Sequence, residues 1–377
     1  MSRFCHLHLH TQYSLLDGFS KIENLMDKVK ELGMDSVAIT DHGVMFGVVD
    51  FYKKAKKKGI NPIIGCEVYV SFRSRHDREN IDKKSYHLIL LAENNEGYQN
   101  LIKIVSAGFV EGFYYKPRVD YEILKKYSKG IIALSACLAG EIPQRLMEGK
   151  YPEAKLAAER LSELFGRDNF YLELQDHDIP EQARVNMYIQ KLSRETGIPM
   201  VATNDVHYLT KEDWKTHEIL MCIQTGKTLQ DEHRMEFKTN EFYLKSPDEM
   251  EDLFKGYEGF LENTVKIAQR CRVDFDFDTI HLPEYKVEDG NTPSEFLREL
   301  CYKGLKKRYP QPSQEVIDRL EFELGVIEKM GYVAYFLIVW DFIYYAKSND
   351  IMVGPGRGSA AGSIVAYTFE ITDVDSV

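Results

Sequence analysis

The chain has 377 residues, 44% apolar and 28% charged, with a formal net charge of −11. That is enough for two or three domains with real cores. No apolar run nears the about 18 residues of a membrane span, no basic-then-apolar leader opens the chain, and the acidic balance speaks against a broad nucleic-acid surface of clustered Lys and Arg. Six scattered cysteines without a CxxC pair fit a reduced, cytoplasmic setting.

The pattern predicts a strand over residues 4–10. A helix follows from about Ser20, with Ser20 and Glu23 spaced as a capping box and Gly33 as its stop. Further strands are predicted over 36–40, 62–70, 86–91, 130–135, 170–174 and 199–203. Helices are predicted through 53–58, closed by Gly59, and over 96–106, 153–165 and 181–195, the last closed by Gly197. Repeated strand–helix units imply a parallel sheet, and the lack of a Gly-rich dinucleotide turn favours a barrel over a Rossmann sheet. Beyond residue 210 the texture becomes helical, over 211–228 and 246–271. An extended, Pro-containing passage over 274–285 marks a boundary, giving domains at 1–275 and 276–377. Helices over 294–309 and 313–330, an apolar aromatic stretch over 335–346 and a glycine-rich loop over 354–363 complete the pass.

The distribution of His, Asp, Glu and Cys is the strongest signal. His6, His8 and His10 alternate along the first strand, so His8 and His10 can grip one ion from the same face. Asp41 and His42 follow the strand 36–40, Glu67 and His87 lie in the next two strands, and Cys137 follows the strand 130–135. Asp205 and His207 follow the strand 199–203, and Asp17 sits in a turn before Gly18. In a barrel, strand ends converge on one mouth, where catalytic groups sit. A lone strand-end His is more often hydrogen-bonded than metal-bound, Asp41 alone is an orienting or capping residue, and Cys137 alone is a small buried side chain. Their recurrence at one end of so many strands is what those readings leave unexplained.

The runs around His8 and His10, Asp41 and His42, Glu67, His87, and Asp205 and His207 resemble the motifs of PHP (polymerase and histidinol phosphatase) domains. The resemblance implies a distorted seven-stranded α/β barrel holding two to three divalent ions. Its ligands would be His8, His10, Asp17, His42, Glu67, His87, Cys137, Asp205 and His207. His6 stands where many members have Asp and is left out, and many phosphatase members have His at the place of Cys137. Some polymerase members lose several ligands; this chain keeps all of them. Imidazole and carboxylate donors suit Zn²⁺, Mn²⁺ or Fe²⁺ better than Mg²⁺. The nucleophile would be a metal-activated water, with Glu67 bridging ions. His177 is a candidate donor to phosphate or leaving group, weighed against an ordinary surface histidine.

Residues 113–118, 170–175 and 331–341, leading into the loop 354–363, resemble the C-family of bacterial replicative DNA polymerases, the polymerase III alpha subunits. The likeness spans the whole chain. It implies that the second domain is an incomplete α+β polymerase palm. Gly356, Arg357, Gly358 and Ser359 would then meet a deoxynucleoside triphosphate in the full-length protein, with Mg²⁺ at that site. A tight turn that merely packs helices closely is the competing reading of that loop. Asp373 and Asp375 are not assigned, because the resemblance places the catalytic carboxylates further on; a fragment or one piece of a split polymerase, without polymerase activity alone, is expected. The implied function is a 3′–5′ exonuclease or related phosphoesterase acting on DNA inside a replicase, with sliding clamp and proofreading subunits as partners and no membrane. The alternatives are a structural metal domain and a small-molecule phosphatase like histidinol phosphatase.

Overall fold

The structure, a computed structural model, describes residues 3–279, 281–287, 290–356 and 358–377. It divides into two compact units, Met1–Phe275 and Asp276–Val377.

Among its described residues the first unit has eight strands: β1 Ser36–Ile39, β2 Asn61–Ser71, β3 Ser85–Ala92, β4 Phe113–Tyr114, β5 Lys116–Val119, β6 Ile131–Leu134, β7 Phe170–Leu174 and β8 Met200–Ala202. The backbone order is β1-β2-β3-β6-β7-β8, with β5 and β4 added at the far end of β2. Residues 4–10 join the two edges. Ala38 N–H donates to His6 O and Thr40 N–H to Leu9 O (both 2.9 Å), while His10 N–H donates to Val206 O (2.7 Å) and Val206 N–H to His8 O (3.1 Å). The sheet is therefore curled into the distorted barrel. Residues 4–10 form bridges rather than a regular strand.

The expected parallel sheet is mixed: β4 pairs antiparallel with β5, and the larger departure is β3. β3 runs antiparallel to both β2 and β6. A parallel return needs a crossover, usually a helix. Between β2 and β3 the chain offers only the short 3₁₀ turn Asn80–Lys83, so it doubles back instead.

Alternation along the strands sorts the interior. Ile64, Cys66 and Val68 of β2 face outward into the main core under the helices, while Ile63 faces inward. One end of the barrel interior is apolar: Ile63, Ile89, Leu91, Ile132, Leu134 and Val201 pack there with Ile267 and Ala268 of helix Glu258–Arg270. Polar groups line the other end.

Other local expectations shift for readable reasons. The first helix, Ile22–Glu31, is preceded by Lys21 without a side-chain cap; Ser20 pairs with Thr11 in a bridge instead. The helix expected over 246–271 is two, Pro247–Leu253 and Glu258–Arg270, because Gly256 takes a left-handed φ of 85° between them. The first keeps a full capping box between Ser246 and Glu249.

The second unit packs helices Pro293–Arg308, Gln314–Lys329, Val333–Ser348 and Ile364–Thr368 around Leu297, Cys301, Leu320, Leu324, Ile364 and Phe369. Gly304 lets the first and last of these touch: a Cβ there would lie 1.6 Å from Thr368 O. Among the described residues this unit holds no strand, so the sheet of an α+β palm is not seen in it.

Candidate metal centre

The polar end of the barrel gathers donors from most of its strands. Glu67 stands at the centre, fully buried on β2. Its Oε1 lies 3.6 Å from His8 Nε2 and 2.7 Å from His87 Nδ1. Its Oε2 lies 3.5 Å from His10 Nε2 and 2.6 Å from His42 Nδ1. Asp205 Oδ1 sits 3.1 Å from His8 Nε2 and 3.2 Å from His10 Nε2. Asp17 reaches His42 Nε2 at 2.8 Å and His207 Nε2 at 3.8 Å. Cys137 Sγ is 3.9 Å from both Glu67 Oε1 and His87 Nδ1. Donors sharing one ion at about 2.1 Å stand roughly 3.0–3.5 Å apart. The His8, His10, Glu67 and Asp205 spacings fall close to that range.

Three overlapping groups result: His8, His10 and Glu67; His42, Glu67 and His87; and His10, His42 and His207. All nine residues of the expected ligand set line this one end of the barrel. His87 reaches it from the start of its strand, because β3 is reversed.

The donors also fit cations electrically. His8 Nε2, His10 Nε2, Asp17 Oδ1, His42 Nδ1, Glu67 Oε2 and Asp205 Oδ1 are buried without a well-aligned hydrogen bond and face one another only as imidazole–carboxylate pairs. Orphaned polar atoms in such number cost several kcal/mol unless something compensates them. Burial by itself would raise the Glu67 carboxyl, but the His87 and His42 rings hold it well below the usual carboxylate range. Asp205 is held low against burial by His8 and His207. Burial opposes charge on His42 too, yet Glu67 and Asp17 push it up to about 10. His10, buried beside His42 and His207, is pushed down to about 3 and keeps a neutral imidazole. The carboxylates thus demand positive charge, which bound cations would supply while displacing protons. Burial raises the Cys137 thiol, so it too would lose a proton to a metal.

Supporting groups orient the donors. Glu173 Oε1 accepts from His8 Nδ1 at 2.7 Å, turning Nε2 inward. Glu173 is fixed in turn by Thr203 Oγ1 and by Gln175 Nε2 at 2.9 Å. His10 Nδ1 meets Ser14 Oγ at 3.0 Å, and Ser14 donates to Asp41 at 2.7 Å. Asp41 also accepts from Thr11 N–H and Oγ1, so it shapes the loop rather than facing the ions. Glu173 was detectable as a charge inside a five-residue apolar strand. His217 Nε2, orphaned and 3.7 Å from Asp17 Oδ1, carries no such signal, since it comes from a helix outside the barrel pattern.

Two further histidines stand apart from the cluster: His6, already left out of the ligand set, and His177, the candidate donor. His6 Nε2 donates to Lys245 O at 2.8 Å, away from the cluster. His177 is fully buried rather than on the surface. Its Nε2 donates to Asn204 O and its Nδ1 accepts from Gln182 Nε2, both at 2.8 Å, while its ring stacks on Phe242. Burial pushes it down to about 4. Neither nitrogen is available to a phosphate.

The cluster opens into a cavity of ≈ 900 Å³. Lys116 lines it, with its ammonium 4.2 Å from the centre of the Tyr69 ring.

In the second unit, Gly356, Gly358 and Ser359 lie exposed in the glycine-rich loop, and Arg357 lies outside the described residues. Gly356 has a φ of 131°, and a Cβ there would lie 2.4 Å from Thr372 Oγ1. Ser363 caps helix Ile364–Thr368 and donates to Glu323 at 2.7 Å, so its hydroxyl is engaged. Asp373 accepts from Arg308 at 2.7 Å, and Asp375 accepts from the Tyr309 hydroxyl.

A curled α/β sheet with this histidine–carboxylate centre at one end is the arrangement of a PHP domain, and residues 6–177 match that family. Residues 295–377 match the family described as bacterial DNA polymerase III alpha NTPase domain. DNA polymerase III subunit alpha of Borreliella burgdorferi is 49% identical over 99% of this chain and 33% of its own length. That of Treponema pallidum is 48% identical over 99% and 32%, and that of Thermus aquaticus 41% over 99% and 36%. The chain belongs to the DNA polymerase III alpha family and spans about a third of the length of these relatives. Likeness to solved structures is loose: an amidohydrolase from Chromobacterium violaceum covers 57% of this chain and 96% of its own at 12% identity, with a TM-score of 0.37. Among the described residues no helix is long and apolar enough to cross a membrane.

Proposed function

We propose that the polar end of the barrel hydrolyses phosphodiester bonds at the 3′ end of a DNA strand, within a replicative polymerase. The observation that carries this is the convergence of orphaned, buried imidazole and carboxylate atoms on one cavity. Two to three ions of Zn, Mn or Fe would be held by His8, His10, Glu67 and Asp205, by Glu67, His87, Cys137 and His42, and by Asp17, His42 and His207. When bound, such ions supply the Lewis acidity that activates water and neutralises phosphate charge. The chain's own residues do the rest. Glu67 spans the groups with its two oxygens, Glu173 and Ser14 fix the histidine rings, and Lys116 meets the negative phosphate from the cavity wall. No side chain is needed as nucleophile, and His177 has no part.

In the longer protein, the loop of Gly356, Arg357, Gly358 and Ser359 would receive the triphosphate of a deoxynucleotide, with Mg²⁺ at the polymerase site. DNA and other replicase subunits, such as the sliding clamp and a proofreading subunit, are the partners this reading implies. The six free cysteines suit a cytoplasmic setting.

The test is release of mononucleotides from a 3′-labelled single strand with Mn²⁺ or Zn²⁺. Release that disappears in Asp205→Asn is the expected result. No release from the parent with either metal would overturn hydrolysis and leave a structural metal centre.

A further inference from the structure

The rim of this cavity carries aromatic surface that the metal chemistry does not use. Phe46 is 63% exposed, Phe109 39%, Phe113 51% and Tyr115 66%. Phe46, Phe109 and Phe113 form one ridge, and Tyr115 shares the cavity wall with Phe109. The Phe46 and Phe109 rings are 6.5 Å apart, and those of Phe109 and Phe113 are stacked at 6.1 Å. Phe109 and Tyr115 line the cavity that holds Glu67 and Asp205. One exposed phenylalanine is ordinary; four aromatic rings beside a catalytic-type cavity mark an interaction site.

The backbone adds an independent sign. Tyr115 turns the β4–β5 hairpin with a φ of 62°. A left-handed conformation costs a bulky L residue roughly 1 kcal/mol, and Gly or Asn would hold the same turn more easily. Strain of this kind persists where the side chain is wanted in that place. Two cations flank the ridge: Lys83 Nζ lies 5.0 Å over the Tyr115 ring, and Lys116 lines the cavity beneath.

We propose that Phe46, Phe109, Phe113 and Tyr115 form a stacking platform for the unpaired bases of a single-stranded nucleic acid whose end enters the metal cavity. Aromatic faces hold bases of any sequence, because every base has a π-face. Stacking also suits an acidic chain. With a net charge of −11, the chain as a whole does not attract phosphates, so stacking on bases adds affinity at this rim beyond what Lys83 and Lys116 supply. The purpose of the platform rests on the hydrolytic reading above, but its binding is measured without hydrolysis.

The experiment is fluorescence anisotropy of a 5′-labelled oligothymidylate with the whole chain in excess chelator. An abasic strand of the same length and charge serves for comparison. Phe46→Ala and Phe113→Ala remove exposed rings that do not line the cavity, and circular dichroism checks their fold. Each is expected to weaken oligothymidylate binding about 10-fold and to leave abasic-strand binding unchanged. A parent that binds the abasic strand as well as oligothymidylate, or variants that bind both strands as the parent does, would overturn the platform and point to a protein partner for the ridge. Base-dependent binding lost in the variants, with no cleavage when Mn²⁺ is restored, would sustain the platform and remove only the hydrolytic reading.

Discussion

Glu67 organises the centre because each of its oxygens faces two histidines, so one carboxylate can serve more than one ion. It needs rigid partners, and the clearest is His8, locked by Glu173. Glu173→Gln keeps the shape but weakens the acceptor that holds the His8 tautomer. Metal affinity is expected to fall about 10–100-fold with the fold intact, read by calorimetric titration of Mn²⁺. Unchanged affinity would mean that Glu173 does not set the His8 ring. The ligand types were legible as residues, because His, Asp and Glu recur at strand ends. The orienting shell was not. Nothing local distinguishes Ser14, which meets His10 and Asp41, from any loop serine, or His177, hydrogen-bonded at both nitrogens, from a catalytic histidine.

At the scale of elements, two features place the chemistry. The reversed β3 brings His87 to the site from its first residues, and the β4–β5 hairpin brings Lys116 and Tyr115. The hairpin depends on Arg118. Its buried guanidinium donates to the carbonyls of Gly112, Asp82, Arg75 and Asp77. Arg75 is in turn paired with Asp120 at 3.0 Å. Arg118→Met would leave several buried acceptors unpaired, at a cost of about 3 kcal/mol. A lower urea midpoint is the expected outcome, with faster proteolytic nicking of the hairpin. An unchanged midpoint would mean that water replaces the guanidinium without penalty. The sequence marked residues 113–118 by resemblance, but not as a hairpin, because the aromatic run has no glycine to announce a turn.

For the whole molecule, the candidate metal centre lies in the first unit, and each unit has its own core. The chain's two tryptophans divide between them. Trp214 lies in the first unit, and Trp340 stacks on Tyr344 and Phe369 in the second. Ions bound well above their Kd stabilise the unit that holds them by about 3 kcal/mol, or roughly 5–10 °C at this size. Chelation is therefore expected to lower the melting reported by Trp214 in a Trp340→Phe variant. The melting reported by Trp340 in a Trp214→Phe variant is expected to stay in place. Equal shifts in both would show that the ions stabilise more than the barrel.

The sequence by itself determined the alternation of strands and helices and the chemical types that gather at the barrel mouth. These rest on periodicity and on residue identity, which are local properties. Tertiary structure decided which way β3 runs, which histidines turn inward, that His6 and His177 turn away, and that Glu173, Lys116 and His217 join the site. Those outcomes depend on which backbone groups find partners across the sheet and which charges must share one low-dielectric space. Residues far apart in the chain settle both questions only once the barrel has closed.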